Sequence, residues 1–183
     1  MRPTAHLSRI FRLVGMVAVF FLASFAAATS EAKETCPWMN DQTAAGFLGG
    51  DVTSNVTFAI KDKTDPNYSN VDKNDAVCEF THHQGSTSIT LRIDVETMAG
   101  SPSSFSTYVA RCGPNGTPVR AIGNEAVACD LDGKNKMISE QVVSRVRGRA
   151  FTVRIVSTAG SFDKELLRQK ACNVAEQVAG FLF

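Results

Sequence analysis

Hydrophobic and polar residues alternate along several stretches of this chain. The clearest case is 88–97, where Ile89, Leu91, Ile93 and Val95 are separated by single polar residues. A two-residue period is typical of a strand that buries one side and exposes the other. Comparable patterns predict six strands, at 52–60, 76–83, 88–97, 125–131, 137–146 and 150–157.

Three other stretches have the apolar spacing and capping residues of helices. They are 39–48, capped by Asn40 or Asp41 and ended by Gly49-Gly50; 101–111; and 162–183, capped by Ser161. The order of elements is helix, three strands, helix, three strands, helix. This order predicts an α+β domain with an antiparallel sheet of about six strands packed by helices.

The first 28 residues differ in kind from the rest. Three arginines and no acidic residue precede an apolar run at 13–25, which three alanines at 26–28 follow. This layout is typical of a secretory signal peptide, with cleavage expected after Ala28 or, as the alternative, after Ala32. The apolar run is shorter than the roughly 20 residues of a membrane span, so we expect no stable span after cleavage. A short polar tail at 29–35 and a single domain at 36–183 would then remain.

The charge balance excludes some partners. The whole chain has 19 basic and 18 acidic residues, for a formal net charge of +1. The leader contains three of the basic residues, so 16 basic and 18 acidic residues remain without it, for a net charge of −2. Such an even balance does not favour nucleic acid as a partner. The leader, in turn, predicts an exported domain, periplasmic or extracellular.

All five cysteines follow the leader. In an oxidising compartment we expect two disulfides and one free thiol. Cys112 and Cys129 are the favoured pair because they bracket a short turn-rich segment. Cys36 is assigned to Cys78, which leaves Cys172 free, although pairing of Cys36 with Cys172 is nearly as plausible. The close C-x-x-C spacing of zinc sites is absent, so no metal is predicted.

The densest concentration of charge is a group of arginines. Arg145, Arg147, Arg149 and Arg154 lie in a predicted hairpin that turns at Gly148. Guanidinium groups match carboxylates and phosphates, so these four arginines are the candidate ligand-binding residues. The alternative is that they protect a sheet edge and pair with nearby carboxylates.

No catalytic motif is complete in the sequence. It contains neither a G-x-S-x-G elbow nor a P-loop nor a dinucleotide-binding glycine pattern, so no catalytic residue and no cofactor is predicted. The histidines after the leader, His82 and His83, are adjacent, and on a strand they would face opposite sides.

Four short motifs and the closing helix have a counterpart in known sequences. The motifs are Cys36-Pro-Trp38, Leu48-Gly49-Gly50, Cys78-Glu-Phe80 and residues 121–127. With them the chain resembles small exported bacterial domains of unknown function, including actinobacterial lipoproteins, whose fold is similar to the PsbP-like α/β sandwich. The lipid-attachment cysteine of those lipoproteins is missing here. The resemblance implies a fold and a compartment, but no catalytic residues.

These observations lead to three functional hypotheses. The first is an exported, non-catalytic domain of the cell envelope that binds an unknown protein or small ligand. The second is an exported hydrolase that uses His82 or His83 with a carboxylate or a thiol. The third is a purely structural component of the envelope.

Overall fold

The computed structural model describes residues 34–59, 72–98, 105–131, 137–158 and 163–183. The predicted signal peptide, both candidate cleavage sites and Ser161 lie outside these residues. The described helices are α1 (Asp41–Leu48), α2 (Phe105–Val109), which a 3₁₀ helix at Ala110–Asn115 continues, and α3 (Lys164–Leu182). The described strands are β1 (Val52–Ala59), β2 (Asp72–Gln84), β3 (Thr87–Thr97), β4 (Thr117–Val119), β5 (Glu125–Leu131), β6 (Ile138–Val146) and β7 (Arg149–Ser157).

The described strands form one antiparallel sheet in the order β1-β2-β3-β7-β6-β5-β4. The α+β class and the antiparallel sheet are therefore confirmed. The predicted strand number is wrong, because the described residues contain seven strands and not about six. The additional strand is β4, whose three residues pair with β5. It is too short, and too interrupted by Pro118, to show an alternating pattern.

The ends of the helices follow from their capping residues. Asn40 caps α1, since its side chain accepts a hydrogen bond from the Thr43 N–H at 2.8 Å, and Gly49 ends the helix with a φ of 94°. Both features agree with the prediction. The cap predicted for α3 is wrong: Asp163 is the N-cap, and its carboxylate accepts from the Glu165 N–H. Ser and Asp are almost equally favourable N-caps, so the sequence pattern alone does not distinguish Ser161 from Asp163.

Two further boundaries differ from the prediction. Strand β2 begins at Asp72, four residues before the start of the strand predicted at 76–83. The predicted helix at 101–111 is shorter, because α-helix is described only over Phe105–Val109 before the 3₁₀ turns. Tertiary pairing extends β2, whereas Gly113 and Pro114 interrupt the helix.

The two faces of the sheet are covered differently. On one face, which we call the helix face, α1 packs against β1–β3 and α3 packs against β6 and β7. The main core lies here, with Phe80, Leu91 and Ile155 fully buried. On the opposite face, α2 and the 3₁₀ helix cover a smaller cluster around Phe105 and Val143. The rest of that face, which we call the open face, carries polar side chains from β2, β3, β6 and β7.

The structure forms two disulfides, Cys36–Cys78 and Cys112–Cys129, and Cys172 is a free thiol. These are the two pairs that the sequence favoured. The first ties the segment before α1 to β2, and the second ties the 3₁₀ helix to β5. Burial, more than any nearby charge, raises the pKa of the Cys172 thiol. It is therefore less ionised, and less reactive, than an exposed cysteine.

Glu140 is a buried carboxylate on the helix face. It is 1% exposed, it lies opposite Asp130 in the sheet, and its Oε1 has no hydrogen-bond partner among the described residues. Burial therefore raises the pKa of Glu140, although the charge of Lys164 partly opposes this. The folded state disfavours the ionised form, so Glu140 costs stability at neutral pH.

We predict that Glu140→Gln increases the free energy of unfolding at pH 7 by about 1 kcal/mol, the size of one unsatisfied buried group. Because the pKa is raised in the folded state, the wild type loses stability as the pH rises through that pKa. The advantage of the variant should therefore shrink as the pH falls towards 4. Urea unfolding at several pH values measures this, with the exposed Glu176→Gln as the control. If the difference in free energy of unfolding between the variant and the wild type did not depend on pH, the burial of an ionised Glu140 would not be its cause.

Candidate functional site

Three arginines converge on the open face. Arg92 on β3 and Arg154 on β7 are direct partners in the register of the two strands. Arg111, in the 3₁₀ helix, lies beside them across a small pocket. We call Arg92, Arg111 and Arg154 the arginine cluster. Like charges directly opposite each other destabilise a sheet, so this arrangement requires compensation.

The pocket between the three guanidinium groups has a volume of about 50 Å³. Its remaining walls are Asp94, Gln141 and Thr152. A cavity needs about 10–15 Å³ of this kind of space to hold one water molecule, so the pocket has room for a few waters or for one small polar group. The lining contains three positive side chains against one carboxylate, which makes it suited to an anion.

Two members of the cluster have carboxylate partners. The Arg92 guanidinium lies 3.7 Å from Glu79 and 3.8 Å from Asp94. The Arg111 guanidinium lies 3.5 Å from Glu96 and stacks on the Tyr108 ring, with Cζ 4.7 Å from the ring centroid. These long, partly exposed ion pairs contribute about 1 kcal/mol or less each. They orient the two side chains without enclosing them.

Glu96 also fixes the ring on which Arg111 stacks. The Tyr108 hydroxyl donates to Glu96 Oε2 at 3.0 Å. Burial, followed by this hydrogen bond, raises the pKa of Tyr108. Tyr108 therefore stays neutral as a donor over the usual pH range.

Arg154 differs from the other two because it forms no ion pair with any described residue. Its side chain is bonded to the Gln141 amide: Arg154 Nε and Nη2 donate to Gln141 Oε1 at 3.1 and 2.8 Å. Burial, followed by the charges of Arg92 and Arg111, lowers the pKa of Arg154, and the charge of Asp94 partly opposes this shift. The half-buried guanidinium therefore has two positive neighbours and a neutral hydrogen-bond acceptor, and Asp94 offsets its charge only in part.

Gln141 links Arg154 to a disulfide. Gln141 is 1% exposed, and its Nε2 lies 3.9 Å from Cys112 Sγ and 3.8 Å from Cys129 Sγ. Both sulfurs are weak acceptors, and they leave Oε1 directed at the arginine. The same disulfide holds Cys112, the neighbour of Arg111, against β5. One covalent link therefore supports two members of the cluster.

Asp94 carries the negative charge of the pocket. Burial, and next the charge of Glu96, raises the pKa of Asp94, while Arg92 and Arg111 oppose the shift. Thr152 lies beside Asp94 in the register, and its hydroxyl makes no hydrogen bond to a described residue. The pocket thus combines guanidinium and hydroxyl donors with a single carboxylate acceptor.

The structure separates the four arginines that the sequence singled out. Arg154 lies on the open face, and Arg145 pairs with Glu125, its neighbour on β5. Arg147 occupies the hairpin turn with a φ of 53°. Arg149 lies on the helix face, where it lines a groove with Phe181 and Leu182. Of the four, only Arg154 reaches the arginine cluster.

The other members of the site were not among the candidates. Arg92 and Asp94 sit at the polar positions of β3, so alternation places them on a solvent-facing side. Their proximity to Arg154 depends on the pairing of β3 with β7, which no local pattern specifies. The sequence around Arg111 gives no indication of a binding role apart from its neighbour Cys112.

Neither histidine belongs to this cluster. The His82 ring packs against Gly50, and its Nδ1 lies 2.8 Å from the Asp51 carbonyl oxygen. His83 is exposed near the hairpin turn. Cys78, the cysteine nearest in sequence to His82, is in a disulfide. Within the described residues no three His, Cys, Asp or Glu side chains are grouped as metal ligands would be.

No family model matches the chain, and no curated protein matches it significantly. The part of the chain that the structure describes has no helix both long and apolar enough to cross a membrane.

We predict that Gln141→Leu lowers the free energy of unfolding by about 1–3 kcal/mol, because the half-buried Arg154 guanidinium loses its acceptor. Denaturant unfolding monitored by circular dichroism measures the change. The matched control is Gln169→Leu on the exposed side of α3, which should stay within about 0.5 kcal/mol of the wild type. Equal effects at the two positions would show that the bond to Arg154 contributes nothing.

Proposed function

We propose that this chain is an exported, non-catalytic domain of the cell envelope that binds an acidic group of a protein or small ligand at the arginine cluster. The observation that carries the proposal is that Arg154 is half-buried beside Arg92 and Arg111 and forms no ion pair with a described residue. The pocket beside it places these two further guanidinium groups around a small space. A ligand anion would supply the ion-pair partner that Arg154, opposite Arg92 in the sheet, does not have.

The proposed compartment is supported by three features. The leader has the layout of a signal peptide, and two disulfides are typical of an oxidising environment. The resemblance of the sequence to small exported bacterial domains agrees with the same location, periplasmic or extracellular. We propose a PsbP-like sandwich on the basis of that resemblance.

A binding role accounts for the site better than a structural role does. A sheet face that only needed to stay soluble would not require Arg154 to be half-buried and held by a buried amide. Gln141 and the Cys112–Cys129 disulfide fix the guanidinium before any ligand arrives. Such preorganisation lowers the entropic cost of binding.

The test is a titration of the purified protein with three anionic probes, N-acetylglycine, methyl phosphate and sulfate, at constant ionic strength. We expect at least one probe to shift the NMR signals of Arg154 and its β7 neighbours saturably. Arg154→Gln should weaken that binding about tenfold or more, as expected for loss of a charge-assisted hydrogen bond.

The matched control is Arg149→Gln, which removes the same charge from the same strand on the helix face. It should bind the probe as the wild type does. If no probe perturbs Arg154, or if the two variants behave alike, the proposed function is wrong.

A further inference from the structure

Charge and donor geometry at the arginine cluster also restrict the kind of anion. We propose that the pocket is specific for a single carboxylate group with one negative charge and discriminates against phosphate and sulfate dianions. This inference rests on the proposed function, because it names the ligand class of the same site. It is carried by the balance of charge, by the position of Asp94 and by the free edge of Arg154.

The balance of charge disfavours a dianion. Arg92 faces Glu79 and Asp94, and Arg111 faces Glu96, so three carboxylates already offset the three arginines. Arg154 forms no ion pair with a described residue, so it is the guanidinium with N–H groups left for an anion. Each negative charge that a ligand brings is therefore in excess, and a dianion brings twice the excess of a monoanion.

A carboxylate in the pocket wall also disfavours dianions. Asp94 is one of the six lining residues, directly beside the arginines. An ionised Asp94 repels any anion, and its repulsion of a dianion is twice as large at the same distance. The open face beyond it is also acidic, since Asp75, Asp94 and Glu96 line the adjacent groove. A polyanion following the face would meet these groups.

The orientation of the Arg154 guanidinium favours a planar anion. Gln141 Oε1 accepts from Nε and Nη2, so that edge of the guanidinium is occupied. The remaining N–H groups are those of Nη1 and one of Nη2, which together form an end-on fork. A planar carboxylate accepts from such a fork with both oxygens. The Thr152 hydroxyl, in the same pocket, provides an additional donor.

The experiment compares dissociation constants of the same three probes at pH 7.5, read from the Arg154 side-chain signal. We expect N-acetylglycine to bind about fivefold or more tightly than methyl phosphate and sulfate. Asp94→Asn removes the repelling charge, so it should tighten sulfate binding by a larger factor than N-acetylglycine binding. The matched control Asp163→Asn, at the cap of α3, should leave the ratio unchanged.

Two further arms identify the source of the carboxylate. A short acetylated peptide with a free C-terminal carboxylate is compared with its C-terminal amide, and both with N-acetyl-glutamic acid amide, whose carboxylate is on a side chain. Binding of the free peptide indicates a chain terminus, and binding of the glutamic acid amide indicates an acidic side chain. Equal binding of the amidated peptide would overturn the carboxylate assignment.

The possible failures are distinguishable. If methyl phosphate or sulfate binds at Arg154 as tightly as N-acetylglycine, or if Asp94→Asn leaves the preference unchanged, the carboxylate inference is wrong while the proposed function stands. If no probe reaches Arg154 at all, the proposed function fails first. The Asp94 substitution is on the solvent-facing side of β3, and a thermal melt of each variant verifies that it is folded.

Discussion

The pairing of β3 with β7 is the contact on which the rest of the structure depends. It joins two β-sheet halves that are distant in sequence, since even the nearest partners, Thr97 and Arg149, are 52 residues apart. The closure of so long a loop is entropically costly, and it is offset by burying apolar residues such as Leu91, Ile93 and Val153 on the helix face. The same pairing brings Arg92 opposite Arg154 on the other face. The core and the arginine cluster are thus two sides of one set of backbone hydrogen bonds.

The two faces of the sheet have different roles. The helix face buries an apolar core under α1 and α3, which provides the stability of the domain. Of the described elements, only α2 and the 3₁₀ helix cover part of the opposite face, and the polar groups of the open face beside them are partly exposed. Because the core on the helix face holds the strands rigidly, side chains on the open face keep their relative positions. They do not depend on the conformation of a loop. A half-buried guanidinium is tolerated there because Gln141 satisfies one of its edges.

Local chemistry explains how far the sequence predicted the fold. Asn40 and Gly49 are strong capping signals, and both were placed correctly. The alternation in β3 is similarly local, and so is the short separation between Cys112 and Cys129. Errors arose where neighbours in space decide the outcome. Ser161 and Asp163 are chemically almost equally suitable as the N-cap of α3, so local sequence does not distinguish them. Strand β4 forms only through its pairing with β5. The arginine cluster could not be predicted for the same reason. Arg154 was a candidate, but Arg92, its partner across the strands, lies 62 positions away in the sequence.

The Cys112–Cys129 disulfide, which Gln141 contacts, links the arginine cluster to the oxidation state of the protein. Before oxidation, two separate thiols replace the bridge, and no covalent link holds the 3₁₀ helix with Arg111 over β5. Sheet formation alone can align Arg92 with Arg154, but it does not deliver the third guanidinium. Under the proposed function, oxidation of this pair is therefore the step that fixes Arg111 beside the other two guanidinium groups. For the exported domain proposed above, the pocket would be completed only after the chain has reached an oxidising compartment.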